Sequence, residues 1–194
     1  MTGTIVGSEQ PTLETERLVL RPLTPDDAPA VFRLYSDEAV TAFLGFDALK
    51  DEEQAAEIIR EAIQRFEERR GMRWGIILRQ TSDLIGTCSY KRWEWARASR
   101  AELGCDLLRA YWGTGLMTEA LRETIRLGFE VTGVNRIEAM VFEGAERSVT
   151  LLNKLGFQLE GVLRDHGYLN GRLCDDMVFS LLKREWEEQT GDLA

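Results

Sequence analysis

A glycine-bracketed turn between an apolar strand and an amphipathic helix constrains this chain more than any other stretch. Residues Leu107 to Phe129 read Leu-Leu-Arg-Ala-Tyr-Trp-Gly-Thr-Gly-Leu-Met-Thr-Glu-Ala-Leu-Arg-Glu-Thr-Ile-Arg-Leu-Gly-Phe. Gly113 and Gly115 flank Thr114, and Met117, Leu121, Ile125 and Phe129 then recur every four residues, the mark of a helix with one buried stripe. A turn feeding a helix start gathers backbone N–H groups, and with the helix dipole behind them these suit a phosphate or diphosphate. Two glycines would equally serve a plain tight turn, so the Gly-x-Gly leaves both readings open. It is not a full G-x-G-x-x-G, since Thr118 occupies the third glycine position, and no Gly-Lys-Ser/Thr follows, so Rossmann and Walker loops fit poorly.

Patterning places the rest of the chain around this stretch. Arg17 to Pro22 alternates as a strand, and Thr24-Pro25-Asp26-Asp27 opens a helix whose stripe is Ala28, Val31, Phe32 and Tyr35, distorted at its start by Pro29. Asp51 opens a longer helix with Ala55, Ile59, Ala62, Ile63 and Phe66 inward. From Arg73 the period becomes two: Trp74, Ile76 and Leu78, a turn at Ser82-Asp83, then a returning strand from Leu84 to Trp93. Arg92 to Arg97 reads as the rim of a loop, with Trp93 and Trp95 at a substrate mouth as its functional reading. In Arg100 to Leu108, Ala101, Leu103, Cys105 and Leu107 share one face and Glu102, Gly104 and Asp106 the other. Gly104 inside a strand signals a bulge or a close backbone approach. Arg136 to Phe142 is a strand, Glu146 to Leu155 a helix and Phe157 to Arg164 a strand. Asn170-Gly171 is a hairpin turn into Leu173 to Leu182, and Lys183 to Glu188 adds a last helical turn. Consecutive strands suggest an antiparallel meander, while the strand–helix–strand unit at the centre suggests one parallel pair.

At 194 residues the chain is long enough for one domain with a real core, with boundaries expected at 13–188, a flexible N-terminus at 1–12 and a C-terminal tail at 189–194. A net charge of −9 argues against nucleic acid as a partner and suits a cationic one. Cys88, Cys105 and Cys174 lack any C-x-x-C spacing, and a single histidine, His166, leaves little material for a metal or Cys–His site, so no metal is expected. No apolar run approaches the roughly 18 residues of a membrane span. A reduced cytoplasmic protein without membrane attachment is the expectation.

Five segments then fall together: Thr15 to Pro22, Ala101 to Gly104, Tyr111 to Ala120, Ser148 with Leu151 to Phe157, and Glu160 to Arg164 continuing to Asn170-Gly171 and Asp176. In this order and spacing they resemble the GNAT acetyltransferase superfamily, most closely its branch of ribosomal-protein alanine N-terminal acetyltransferases. The resemblance implies an α+β (mixed α/β) fold: a central mixed, mostly antiparallel sheet of about seven strands, splayed at the cofactor cleft, with about four helices on its faces. It implies acetyl-CoA as co-substrate and a primary amine as acceptor, a protein or peptide N-terminus or a small amine of polyamine type. The oligomeric state stays open, a homodimer included.

By the same resemblance, backbone groups around Leu107 and Leu108 hold the pantetheine, with Arg109 and Trp112 beside them. The amides of Gly113, Thr114, Gly115 and Leu116 hold the diphosphate. Glu102 is the general base by family position and Ser148 the acid toward the departing thiolate. A solvated strand carboxylate and a helix-start hydroxyl are the plain structural roles for the same two residues. Asp106, on the face of Glu102, is a second group that could attract the amine. Two positions depart from the family pattern. Ala110 stands where Gln or Arg is usual, next to Arg109, and Ala145 stands three residues before Ser148 where the branch carries Asn. Ala145 raises an alternative, an acyl-CoA-binding module of low activity.

Overall fold

The computed structural model describes residues 9–94 and 99–191. In chain order its elements are β1 (Leu13–Glu14), β2 (Leu18–Pro22), α1 (Ala28–Tyr35), α2 (Glu38–Thr41), α3 (Glu52–Glu67), β3 (Met72–Leu78), β4 (Leu84–Glu94) and β5 (Arg100–Leu107). They continue with α4 (Leu116–Arg126), β6 (Arg136–Phe142), α5 (Glu146–Lys154), β7 (Gln158–Leu169), β8 (Arg172–Leu182) and α6 (Lys183–Gly191). One eight-stranded sheet runs β1-β2-β3-β4-β5-β6-β8-β7. The pairing is antiparallel except between β5 and β6, which the α4 crossover makes parallel.

The mixed sheet follows the expectation, with three additions. β1 and α2 are two and four residues long, too short to leave a period, and α2 exists because the Asp37 carboxylate caps Ala39 N–H at 2.9 Å. The C-terminal turn grows into α6, which extends to Gly191. At the other end, Gln10 donates to the Arg73 carbonyl and Trp74 donates to Pro11, so residues 10–11 lie against β3.

Each face of the sheet carries its own apolar cluster. One joins α4 and α5 to Trp74, Tyr90, Leu103, Ile137 and Phe179. The other packs α1 and α3 on Leu84 and Ile77. On α3 the inward stripe is Ala55, Ile59 and Ala62, while Ile63 is exposed. It lies roughly 80° round the helix from Ala55, at the edge of the stripe rather than in it. Before α1, Pro25–Asp27 form a 3₁₀ turn, the distortion anticipated at Pro29. Its Asp27 accepts from both terminal nitrogens of Arg21 at 2.7 and 2.8 Å and from Thr24 N–H at 2.8 Å.

The long helix expected through Phe129 changes its winding at Leu127, and a π-helical turn runs from there to Thr132. The Tyr90 hydroxyl donates to the Thr124 carbonyl at 2.7 Å, the acceptor that residue 128 would use in an unbroken α-helix. Gly128 permits this, because a Cβ there would meet Tyr90 Oη at 2.3 Å.

Trp93 is a correction. It belongs to β4, is 7% exposed, and packs edge-on against Tyr90 with ring centroids 5.0 Å apart. A register slip between Tyr90 and Arg92 shifts the alternation by one, so Trp93 faces inward with Tyr90 and does not line a rim. Trp95 lies outside the described residues.

Candidate active site

β5 and β6 pair only through Arg100–Arg136, Ala101–Ile137 and Glu102–Glu138, and from Leu103 onward they part. Which backbone groups face the gap follows from β4 on the other side. Leu108 N–H donates to the Ile85 carbonyl at 2.9 Å, so the bonded rungs of this antiparallel ladder alternate from there. Cys105 and Leu107 therefore direct their N–H and C=O groups toward the gap, with the Leu103 carbonyl beside them, whereas the Leu108 amide is engaged with β4. The Leu107 carbonyl accepts the Trp112 indole N–H at 2.7 Å. The Arg147 guanidinium, from the first turn of α5, lies 4.4 Å above that indole, a cation–π contact between the two sides of the gap.

At the end of β5 the chain makes a 3₁₀ turn at Arg109–Tyr111 and then the glycine turn. Gly113 and Gly115 have φ of +76° and +82°, left-handed values that an L side chain resists. Thr114 Oγ donates back to the Tyr111 carbonyl at 2.6 Å, and Arg17 steadies the turn through the Thr114 carbonyl. Arg17 also pairs with Glu119 at 2.7 Å, and Thr15 donates to the same carboxylate. Burial would raise the Glu119 carboxyl, but these hydrogen bonds outweigh it and lower it. No side chain caps α4, and its first internal hydrogen bond runs from Glu119 N–H to the Gly115 carbonyl. The amides of Leu116, Met117 and Thr118 therefore lack helical partners. A Cβ at Gly113 would meet nothing within 4 Å, so the turn is open above them. Arg109 lies beside it, 3.5 Å from Asp37.

Glu102 and Glu138 sit side by side where the strands separate. Glu138 is neutralised by Arg136 at 2.7 Å and Arg100 at 3.8 Å. Glu102, half-buried, makes no ion pair or hydrogen bond among the described residues. Four residues on, Asp106 Oδ2 accepts from the Tyr35 hydroxyl at 2.7 Å and from Thr87 at 3.3 Å. Burial pushes the Tyr35 phenol far up, with the Asp106 charge adding to it, so this hydroxyl stays a donor. Sequence reading placed Tyr35 only on an apolar stripe, because its polar partners come from strands 52 and 71 residues away.

Ser148 is the third residue of α5, and its N–H donates to the Ala145 carbonyl at 2.9 Å. Its hydroxyl has no partner among the described residues. Ala145 holds the N-cap position with no side-chain cap and is itself buried against the α4-side cluster. Cys105 sits beside Cys88 across the β4–β5 ladder, and burial raises its thiol far above the usual range, which keeps it protonated and inert. His166 is tied to Asp176 at 2.7 Å in the β7–β8 hairpin. Among the described residues no group of three His, Cys, Asp or Glu is arranged to hold a metal, and no helix is long and apolar enough to cross a membrane.

A sheet opened after one short parallel pairing, with an uncapped helix start beyond it, is the architecture of an acyl-CoA-dependent N-acetyltransferase. Residues 17–158 match the acetyltransferase (GNAT) domain, and the chain belongs to that family. It is 40% identical over 173 residues to the uncharacterized N-acetyltransferase YoaA of Bacillus subtilis (strain 168), covering 89% of this chain and 97% of that one. It is 27% identical over 113 residues to the ribosomal protein uS5-alanine N-acetyltransferase of Escherichia coli (strain K12), 58% of each chain. The fold superposes with a TM-score of 0.81 on RimL, the ribosomal L7/L12 α-N-protein acetyltransferase in complex with coenzyme A. That match has 18% identity and covers 89% of this chain and 98% of that one.

Proposed function

We propose that this N-acetyltransferase moves the acetyl group of acetyl-CoA to a primary amine, foremost the N-terminal α-amine of a protein or peptide, by direct attack. The observation that carries the reading is the parting of β5 from β6 immediately after Glu102, a carboxylate beside the gap with no partner among the described residues. Acetyl-CoA supplies a thioester carbonyl open to an amine. Gap-facing backbone groups of Cys105 and Leu107, with Leu108, Arg109 and Trp112 at the rim, hold the pantetheine arm. The amides from Gly113 to Leu116, which have no partner among the described residues, hold the diphosphate. Glu102 takes the proton that the ammonium must lose, directly or through one water. The Cys105 N–H, the first to face the gap beyond the parallel rungs, is placed to receive the charge that develops on the carbonyl oxygen. Ser148, with its hydroxyl unengaged, donates a proton to the departing sulfur.

The names of the uS5-alanine enzyme and of RimL favour a protein N-terminus as acceptor. The second carboxylate on this strand face, Asp106, favours a small cationic amine as the second reading. Three unpaired cysteines support a cytoplasmic place of action. The deciding experiment follows thiol release from acetyl-CoA with N-terminal peptides and with polyamines. Release with peptides supports the leading reading and release with polyamines alone supports the second. Coenzyme A binding without release from any amine leaves an acyl-CoA-binding module, with Ala145 as the first residue to change.

A further inference from the structure

Opposite the gap, on the face of Glu102 and Asp106, Arg73, Ser89 and Gly104 lie in one row across β3, β4 and β5. Directly paired residues project to the same side of a sheet, so the Arg73 and Ser89 side chains flank the glycine. β4 slips register between Tyr90 and Arg92, leaving Lys91 as an extra residue outside the ladder. Its side chain folds back over Gly104: a Cβ there would meet Lys91 Cε at 2.4 Å and Ser89 Oγ at 3.2 Å. Only glycine leaves room for this stem. The residues around Gly104 thus carry a guanidinium, a hydroxyl and an ammonium. None of the three head groups has a hydrogen bond or a salt bridge among the described residues. The Arg73 cation feels Asp106 and Glu61 electrostatically without pairing with either.

We propose that the acceptor amine carries a carboxylate close by, and that Arg73, Ser89 and Lys91 receive this carboxylate beside Gly104 while Glu102 faces the amine. The inference rests on the acetyl-transfer reading and narrows its acceptor class. The rise of a strand, about 3.3 Å per residue, puts Glu102 and Gly104 some 7 Å apart, a span that suits an amine and a carboxylate of one small group. The carboxylate has two sources, the α-carboxylate of a free amino acid or an acidic side chain next to a peptide N-terminus. A polyamine has neither and would meet two cations.

The test compares kcat/KM, from thiol release, for alanine against alanine methyl ester, Ala-Glu-amide against Ala-Gln-amide, and spermidine. Preference of about tenfold or more for a carboxylate member is expected, as for a charge-assisted hydrogen bond in a half-open site. Alanine over its ester assigns the α-carboxylate, and Ala-Glu over Ala-Gln assigns the side chain. Lys91→Glu should reverse the preference toward spermidine, which loss of packing alone would not do, and Arg73→Gln should lower the carboxylate-to-neutral ratio. Release that is equal across each pair, or highest with spermidine in the unaltered protein, overturns the carboxylate site and leaves acetyl transfer standing. No release with any of the five overturns both.

Discussion

Ala101, Leu103 and Leu107 of β5 turn toward α4 and α5 and are 1%, 5% and 7% exposed, whereas Glu102, Gly104 and Asp106 alternate with them onto a half-open polar surface. The first set shares one cluster with Trp74, Leu121, Ile137 and Phe179. The second set meets Tyr35, Thr87 and the Lys91 stem. A charge on the α4 side would lose its hydration without a partner and cost several kcal/mol, so that side is restricted to apolar groups. The opposite side, reached by water and by donors from α1 and β4, can hold carboxylates without that cost. Cohesion and chemistry are thus separated by one residue of alternation along a single strand.

That separation can be broken or sharpened by substitution. Glu102→Gln should lower kcat/KM for acetyl transfer by about 10²- to 10⁴-fold, the usual contribution of a general base, with the melting temperature unchanged. Full activity, or a lowered melting temperature, would mean that the polar side is structural after all. On the other side, Phe179→Ala should cost about 3–5 kcal/mol in urea unfolding, as large aromatic truncations do, while the folded fraction keeps its kcat. At the end of the strand, Gly113→Asp should weaken coenzyme A binding by about 100-fold in a calorimetric titration, through charge repulsion and the left-handed φ together. Gly113→Ala isolates the backbone part, about 1 kcal/mol, because nothing lies within 4 Å of the added carbon.

The smallest effect concerns the support of α1, which carries Tyr35 to Asp106. Burial alone would raise the Asp27 carboxyl, but the hydrogen bonds from Arg21 and Thr24, with the Arg21 charge, lower it. A carboxylate depressed on folding stabilises above its unfolded value, about 3.9, and that stability is lost as pH falls through the folded value. Unfolding followed from pH 6 to pH 2 should therefore show a loss of stability at the acid end attributable to Asp27. Asp27→Asn should flatten this limb, and an unchanged acid limb would dissociate α1 from the Arg21 pair.

Local rules carried much of this fold. Strand β6 lies at Arg136–Phe142 as its alternation requires, α3 begins behind its Asp51 cap, and Asn170-Gly171 turns with φ of +52° and +79°. The glycine turn and the Glu102–Gly104–Asp106 face were equally legible, since periodicity and positive φ are properties of neighbours in sequence. What escaped depends on partners far along the chain. Trp93 was masked by its charged neighbours, and its burial comes from Tyr90 and the α4 side. The π-helical turn needs Tyr90 to reach Thr124, and the placement of Lys91 needs a register slip that no single strand announces. Nor could the strand alone show that Arg136 and Arg100 pair with Glu138 and leave Glu102 without a partner among the described residues.

The seam between β5 and β6 is three residue pairs long, and it joins two parts of the sheet, β1 to β5 and β6 with β8 and β7. Within each part the pairing is antiparallel and, β1 apart, longer than at the seam. A chain with both parts formed and the seam open would hold nearly all of its native hydrogen bonds and still lack the cleft beside Glu102.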